Sequence, residues 1–461
     1  MTSPQRKIAQ PNDAQFARIA EFVLDRDLAV PEAALRHCAT LLIDTLGVAA
    51  GATVLDVGRI ARDHAAEFHA AGSEASAATM LFDGRRVSIP GAAWALVTQI
   101  DNLDGHDGYM PTKGHIGCAV VPTLFAFAQH YPDLTGPQAL TALAMAYEIS
   151  ACAGTALHAT VSDYHTSGAW NALGVAALGC RLKGADAGML RHALGIAEYH
   201  GPRSQMMREI DNPTMLHDGS GMGAMVGAKA ALLAMRGFTG APAITAEAEE
   251  AAEYWQDLTT QWTVALNYIK PYPCCRWAHA AIDAVRQLML SDGVSADNVA
   301  SIEVHTFDEA ARLFAGLPET TTQAQYSMNF VIATMLKHGH IAPGHIEGAG
   351  LNDPDIAALI PKVKAMPVDH HNARFPAGRW SDVEVVLTDG RRLNSGDVTA
   401  RGGPDAWMSD TEVEEKFHVF CSGVLSDARS RAIWAMRDRL LDPSSRFTDL
   451  ASLIQQPGDA I

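Results

Sequence analysis

The sequence predicts a mainly α fold, a large all-helical domain followed by a smaller α+β domain, and three observations carry that prediction. From about residue 12 to 265, apolar residues recur at i, i+3, i+4 and i+7 in segment after segment. Alanine and glycine are abundant while aromatics make up only 7% of the 461 residues. That mix suits helices meeting at small side chains and does not suit an all-β core. Beyond Tyr268 the texture changes, and stretches of period two alternate with stretches of helical period.

Taken in order, the first fifteen residues lack the apolar core of a signal peptide. PEAALRHCATLLIDTLGVAAGA (31–52) and GPQALTALAMAYEISACAGTAL (136–157) read as long helices, set apart by breaks such as Pro132-Asp133 and Gly237 to Pro242. Between them, SAATMLFDGRRVS (76–88) alternates and predicts a small hairpin about Asp83-Gly84. AWNALGVAALGC and GSGMGAMVGAKAALLAM read as buried helices in contact at small residues. The second is not a dinucleotide loop, because no clear strand precedes its glycines. After the seam IKPYPCCRWAH come a helix (AIDAVRQLML), a strand (SIEVHTF), a helix (MNFVIATMLKHG) and a hairpin about Asp389-Gly390. The tail VEEKFHVFCSGVLSDARSRAIWAMRDRL returns to helical period and is expected to pack back on the first domain. The expected division is 1–267, 268–400 and 401–461.

A formal net charge of -17 disfavours nucleic acid and anionic membranes as partners, yet a local cluster of His, Lys and Arg can still hold a small anion. Seven scattered cysteines without zinc-ligand spacing read as reduced, buried thiols of a cytosolic chain. No apolar run is read as reaching the roughly 20 residues that cross a bilayer, so a cytoplasmic protein is expected.

Four irregular segments concentrate ionisable groups. The first, residues 99–122, holds Asp101, Asp104, His106, Asp107, Lys113 and His115 just before an apolar helix, whose unpaired first amides attract anions. Its aspartates and histidines could also ligate a metal, but their spacing matches no ligand motif. In the second, His165 precedes Thr166 and Ser167, either of which could cap the helix that follows. The third carries Arg203, Arg208, His217 and Asp218, a set suited to carboxylates or simply solvent-exposed. The fourth places Lys270, Arg276 and His279 on the seam between the two domains, where ligand sites are favoured.

These segments, in order with DTLGVAAGA (44–52), RGFTGAP (236–242) and QYSMNFVIATMLKHG (325–339), resemble the MmgE/PrpD family over roughly residues 15 to 440. That family includes 2-methylcitrate dehydratases, cis-aconitate decarboxylase and iminodisuccinate epimerase. The resemblance implies a helical domain with a smaller α+β lid, a cleft between them, a homodimer, and chemistry that needs no metal or organic cofactor. It also implies that Asp104, His115, His165 and His279 are the catalytic and substrate-binding groups, with Lys270 and Arg276 as carboxylate anchors; Arg203 and Lys113 are read as further substrate-binding cations. Where the decarboxylase has a lysine before the Gly-rich helix, this chain offers Thr214 or His217, both taken as substrate-binding. The family's Asp-Asp-Thr triplet becomes His106-Asp107-Gly108 here. The expected activity is abstraction of a proton α to a carboxylate of a small di- or tricarboxylic acid. Histidines near neutrality suit that step, with His115 and His165 as the proton-handling pair. Loss or addition of water ranks first as the outcome, epimerisation second and decarboxylation third; a non-catalytic carboxylate binder is the remaining alternative.

Overall fold

The apolar periodicity of the first half becomes a bundle of helices in the computed structural model, which describes residues 11–459. The first fifteen residues, read above as lacking a signal-peptide core, therefore lie largely outside the described residues. Gly117–Ala128 is buried at every position, as a helix apolar on all sides must be. Around it pack Gly136–Thr160, started by a Thr135/Gln138 capping box, and Gly168–Lys183. Ser220–Ala234 crosses Gly168–Lys183 where Gly223 meets Gly168. A Cβ on Gly223 would lie 2.7 Å from the Gly168 Cα, so only glycine permits that approach, and the small-residue reading of both helices holds.

The expectation that no apolar run could cross a bilayer is corrected. Glu32–Val54 and Gly136–Thr160 are long and apolar enough to do so, but most of each is buried inside the protein, as in core helices. The hairpin about Asp83-Gly84 forms between β1 (Ala77–Thr79) and β2 (Arg86–Ser88). All seven cysteines are free and buried.

The smaller domain is a mixed sheet ordered β4-β3-β5-β6, with β3 Val299–Thr306, β4 Val363–Pro367, β5 Trp380–Leu387 and β6 Arg392–Asn394. β7 (Val398–Thr399) pairs with the start of β5. β3 runs parallel to β4 and antiparallel to β5, placing Ile302 between Val363 and Val385. The helices His279–Asp292 and Met328–His338 pack against this sheet. β4 and β7 were not read from sequence: VKAMP carries a lysine and a proline, and β7 has two residues, so pairing rather than pattern makes them strands. The tail forms Asp410–Cys421 and Asp427–Arg439, which pack on Glu32–Gly51. There the Lys416 Nζ sits 2.7 Å from Asp44, both buried, and 2.7 Å from the Gly105 carbonyl. A helix near the C-terminus thereby holds the start of the acidic loop.

Candidate active site

The helix Ile89–Leu103 ends at Asp104, which takes a left-handed backbone (φ 55°) that aspartate tolerates better than most residues. The loop that follows is fastened on three sides. Gly108 and Tyr268 exchange backbone hydrogen bonds of 3.0 and 2.8 Å, and the Tyr109 N–H donates to Gly114. Asp107 accepts the Gly117 N–H at 3.0 Å and so caps the next helix. His115 is gripped by the first turn of Gly168–Lys183: its N–H donates to Ser167 Oγ (3.1 Å), and its carbonyl accepts from Asn171 Nδ2 (2.8 Å). Ser167 also donates to Asp218 Oδ2 at 2.7 Å and makes no cap bond, so it couples two site residues rather than capping its helix.

His115 Nδ1 lies 2.7 Å from the Asp107 carbonyl. A carbonyl only accepts, so Nδ1 carries the proton and Nε2 keeps its lone pair. That nitrogen sits 3.8 Å from Asp218 Oδ2. Burial, reinforced by Lys270, pushes the His115 pKa below its ordinary value, while Asp218 and Asp104 pull the other way. The neutral, base-competent imidazole is therefore the resting form. His106 packs edge-on against it (centroids 4.6 Å apart) and is fully buried, with no hydrogen-bond partner for either ring nitrogen. Burial and the neighbouring His115 and Lys270 hold His106 neutral as well.

Asp104, Lys113, His115 and Asp218 line a tight cleft whose empty space, open solvent at its mouth included, is about 400 Å³. Arg276, Tyr326 and Arg379 line it as well. The Arg276 guanidinium lies over the Tyr268 ring (4.4 Å) and donates to the Ala400 and Arg401 carbonyls, leaving a buried Nε–H without a partner. Burial lowers its pKa to about 10, which keeps it charged at neutral pH. Arg379 donates to the Pro376 carbonyl (3.1 Å) and likewise leaves its Nε–H free and buried. Burial also raises the Tyr268 and Tyr326 phenols, so both remain protonated donors. Behind the wall, Lys270 is ion-paired with Asp104 Oδ1. Burial alone would depress its ammonium, but the Asp104 charge wins and raises it.

Of the residues singled out in the sequence, Asp104, Lys113, His115 and Arg276 thus share the cleft, and Lys270 supports it. The others do not line it. The His279 ring is fully buried: Nε2 donates to the Cys274 carbonyl (3.1 Å) and Nδ1 accepts from Arg276 (3.4 Å), so it positions that arginine. His165 lies against Arg203 (3.4 Å), whose side chain is exposed, and it is the neighbouring Tyr164 that reaches the cleft. His217 stands beside Tyr326 (centroids 5.5 Å) with Nε2 unpartnered. Thr214 is exposed, and its N–H and hydroxyl both donate to Glu209 (2.6 and 2.9 Å). Tyr164, Tyr326 and Arg379 were missed. Nothing in the local pattern of RFPAGRW marks Arg379, whereas Tyr326 lay in a quoted motif but was read only as helix.

Asp104, His106 and His115 bring donor atoms close enough for a metal, as do Asp101, His106 and Cys118. In the first set Lys270 already supplies the cation on Asp104. In the second, burial raises the Cys118 thiol well above its ordinary range, so it offers no thiolate.

Residues 17–256 match the MmgE/PrpD N-terminal domain, and residues 272–442 match the MmgE/PrpD C-terminal domain. The chain belongs to the MmgE/PrpD family. It is similar to the cis-aconitate decarboxylase of Homo sapiens, 24% identical over 413 residues, covering 84% of this chain and 83% of the relative. The cis-aconitate decarboxylase of Mus musculus is 22% identical over 377 residues, covering 76% and 75%. In MmgE/PrpD terms, the cleft draws Asp104, His115 and Asp218 from the N-terminal domain match and Arg276, Tyr326 and Arg379 from the C-terminal one.

Proposed function

We propose that the protein is a cofactor-independent lyase that removes a proton α to a carboxylate of a small di- or tricarboxylic acid, with loss or addition of water. The observation that supports this reading is the His115 Nε2 lone pair, held in a cleft that Arg276 and Arg379 also line. Arg276 and Arg379 bind substrate carboxylates, with Lys113 as a third cation. His115 takes the α-proton, and the imidazolium that results is stabilised by Asp218. The electron pair passes into the adjacent carboxylate as an enediolate, which the protonated Tyr326 and the arginines stabilise. A β-hydroxyl then leaves as water, taking a proton from a donor of the cleft.

Decarboxylation is the second reading, supported by the activity named for both relatives. There the pair left by departing carbon dioxide is protonated in the same cleft. Proton NMR in deuterated water separates them, with 2-methylcitrate, citrate, cis- and trans-aconitate and iminodisuccinate as substrates. A carbon–carbon double bond gained or lost with all carbons retained supports the hydro-lyase, and loss of a carboxyl carbon supports the decarboxylase. Deuterium entering an otherwise unchanged skeleton would overturn both in favour of an epimerase. His115→Asn should lower turnover ~10²–10⁴-fold with the fold intact, the range for losing a positioned base, and activity should survive EDTA.

A further inference from the structure

Apart from the cleft, the α+β domain gathers imidazoles and carboxylates around one point. His370 and His371 follow β4, Asp382 lies on β5, and Asp397 precedes β7. The Nε2 atoms of both histidines and the Oδ1 atoms of both aspartates face one another. His370 is 3.6 Å from Asp382 and 3.7 Å from Asp397, and His371 is 2.9 and 4.0 Å from the same two oxygens. Four donors bound tetrahedrally at the 2.0–2.1 Å typical of zinc to imidazole and carboxylate would be separated by about 3.3–3.4 Å. The observed distances bracket that edge.

The second oxygens are occupied elsewhere. His305 Nδ1 lies 2.8 Å from Asp382 Oδ2, and Arg374 donates to Asp397 Oδ2 at 2.7 Å. Such outer contacts orient ligating carboxylates; of the inner oxygens, Asp382 Oδ1 accepts a hydrogen bond from His371 Nε2 at 2.9 Å, whose proton a bound ion would displace. The His371 side chain is fully buried while that of His370 is 53% exposed, which gives the cluster a closed floor and an open mouth. Two carboxylates face a single guanidinium, so a dication is electrostatically welcome.

We infer that His370, His371, Asp382 and Asp397 form a tetrahedral binding site for a divalent transition metal of the zinc type. Imidazole and carboxylate donors select that class. The site is structural, since all four positions around the ion are protein ligands. It ties together the two backbone stretches that serve the cleft: Asp382 follows Arg379 by three residues, and Asp397 leads into Ala400 and Arg401, whose carbonyls hold Arg276.

The test uses the full chain stripped with chelator, then titrated with zinc and separately with cobalt as a spectroscopic reporter. Wild type should bind one zinc that His370→Ala and Asp397→Asn each bind at least tenfold more weakly. Its melting midpoint should rise with zinc, and cobalt should give the strong visible absorption of a four-coordinate site. Both substituted side chains are partly exposed, so the metal-free variants should melt like metal-free wild type. Absence of zinc binding by wild type overturns the proposal. Binding unchanged in both variants also overturns it, because the ion would then sit elsewhere, such as at His106.

Discussion

At His115 the pH dependence of turnover follows from which ring nitrogen is free. The reacting form is the neutral imidazole, and burial has moved its pKa below the ordinary 6.5. Activity limited by this group should therefore be level through neutral pH and fall only as pH drops below 6.5, when protonation removes the lone pair. A pH profile of kcat/KM measures this, and an acid limb centred above 6.5 would contradict the assignment of His115 as base. The residue itself was legible from its place before an apolar helix. The choice of nitrogen was not, because it depends on the carbonyl of Asp107, eight positions back, folding under the ring.

The element that carries Arg379 is the turn leading into β5, and its contribution is a guanidinium from the α+β domain aimed into a cleft built mainly on helices. A charge-assisted hydrogen bond to a carboxylate contributes about 1.5–3 kcal/mol, or roughly 10–150-fold in binding. Arg379→Gln should raise KM by about that factor while changing kcat far less, as steady-state kinetics on the identified acid would show. Equal losses in kcat and kcat/KM would instead place the contact in the transition state alone. The hairpin of β5 and β6 was predicted because Asp389-Gly390 is a turn signal, with Gly390 at φ 88°. Arg379, six residues before Val385, gave no such signal, since an isolated arginine beside a strand reads equally well as solvated.

Across the whole molecule, Lys416 and Asp44 join the tail to the second helix and, through the Gly105 carbonyl, to the acidic loop. Both partners are buried, so removing one strands the other's charge. Lys416→Met should cost about 3–5 kcal/mol of stability, read as a lower denaturation midpoint. The double change Lys416→Met with Asp44→Leu should recover much of that loss, because an apolar pair leaves no charge unpaired. The family match spans both domains, and the cleft needs both, so the arrangement that would act on a substrate belongs to neither half alone.

By itself the sequence determined most of the elements and the family: helical periodicity to about residue 265, the two Asp-Gly hairpins, two buried helices with small residues at their contact, and four chemistry-bearing segments in order. These are local properties, set by spacing and by turn residues. Only the tertiary structure decided which side chains meet. It kept Asp104, His115 and Arg276 in the cleft and turned His279 inward to hold Arg276. It left His165 against Arg203 and Thr214 on Glu209, and brought in Tyr164, Tyr326 and Arg379. Side-chain direction in loops is set by the hydrogen bonds and packing of remote elements, and residue spacing carries no record of those.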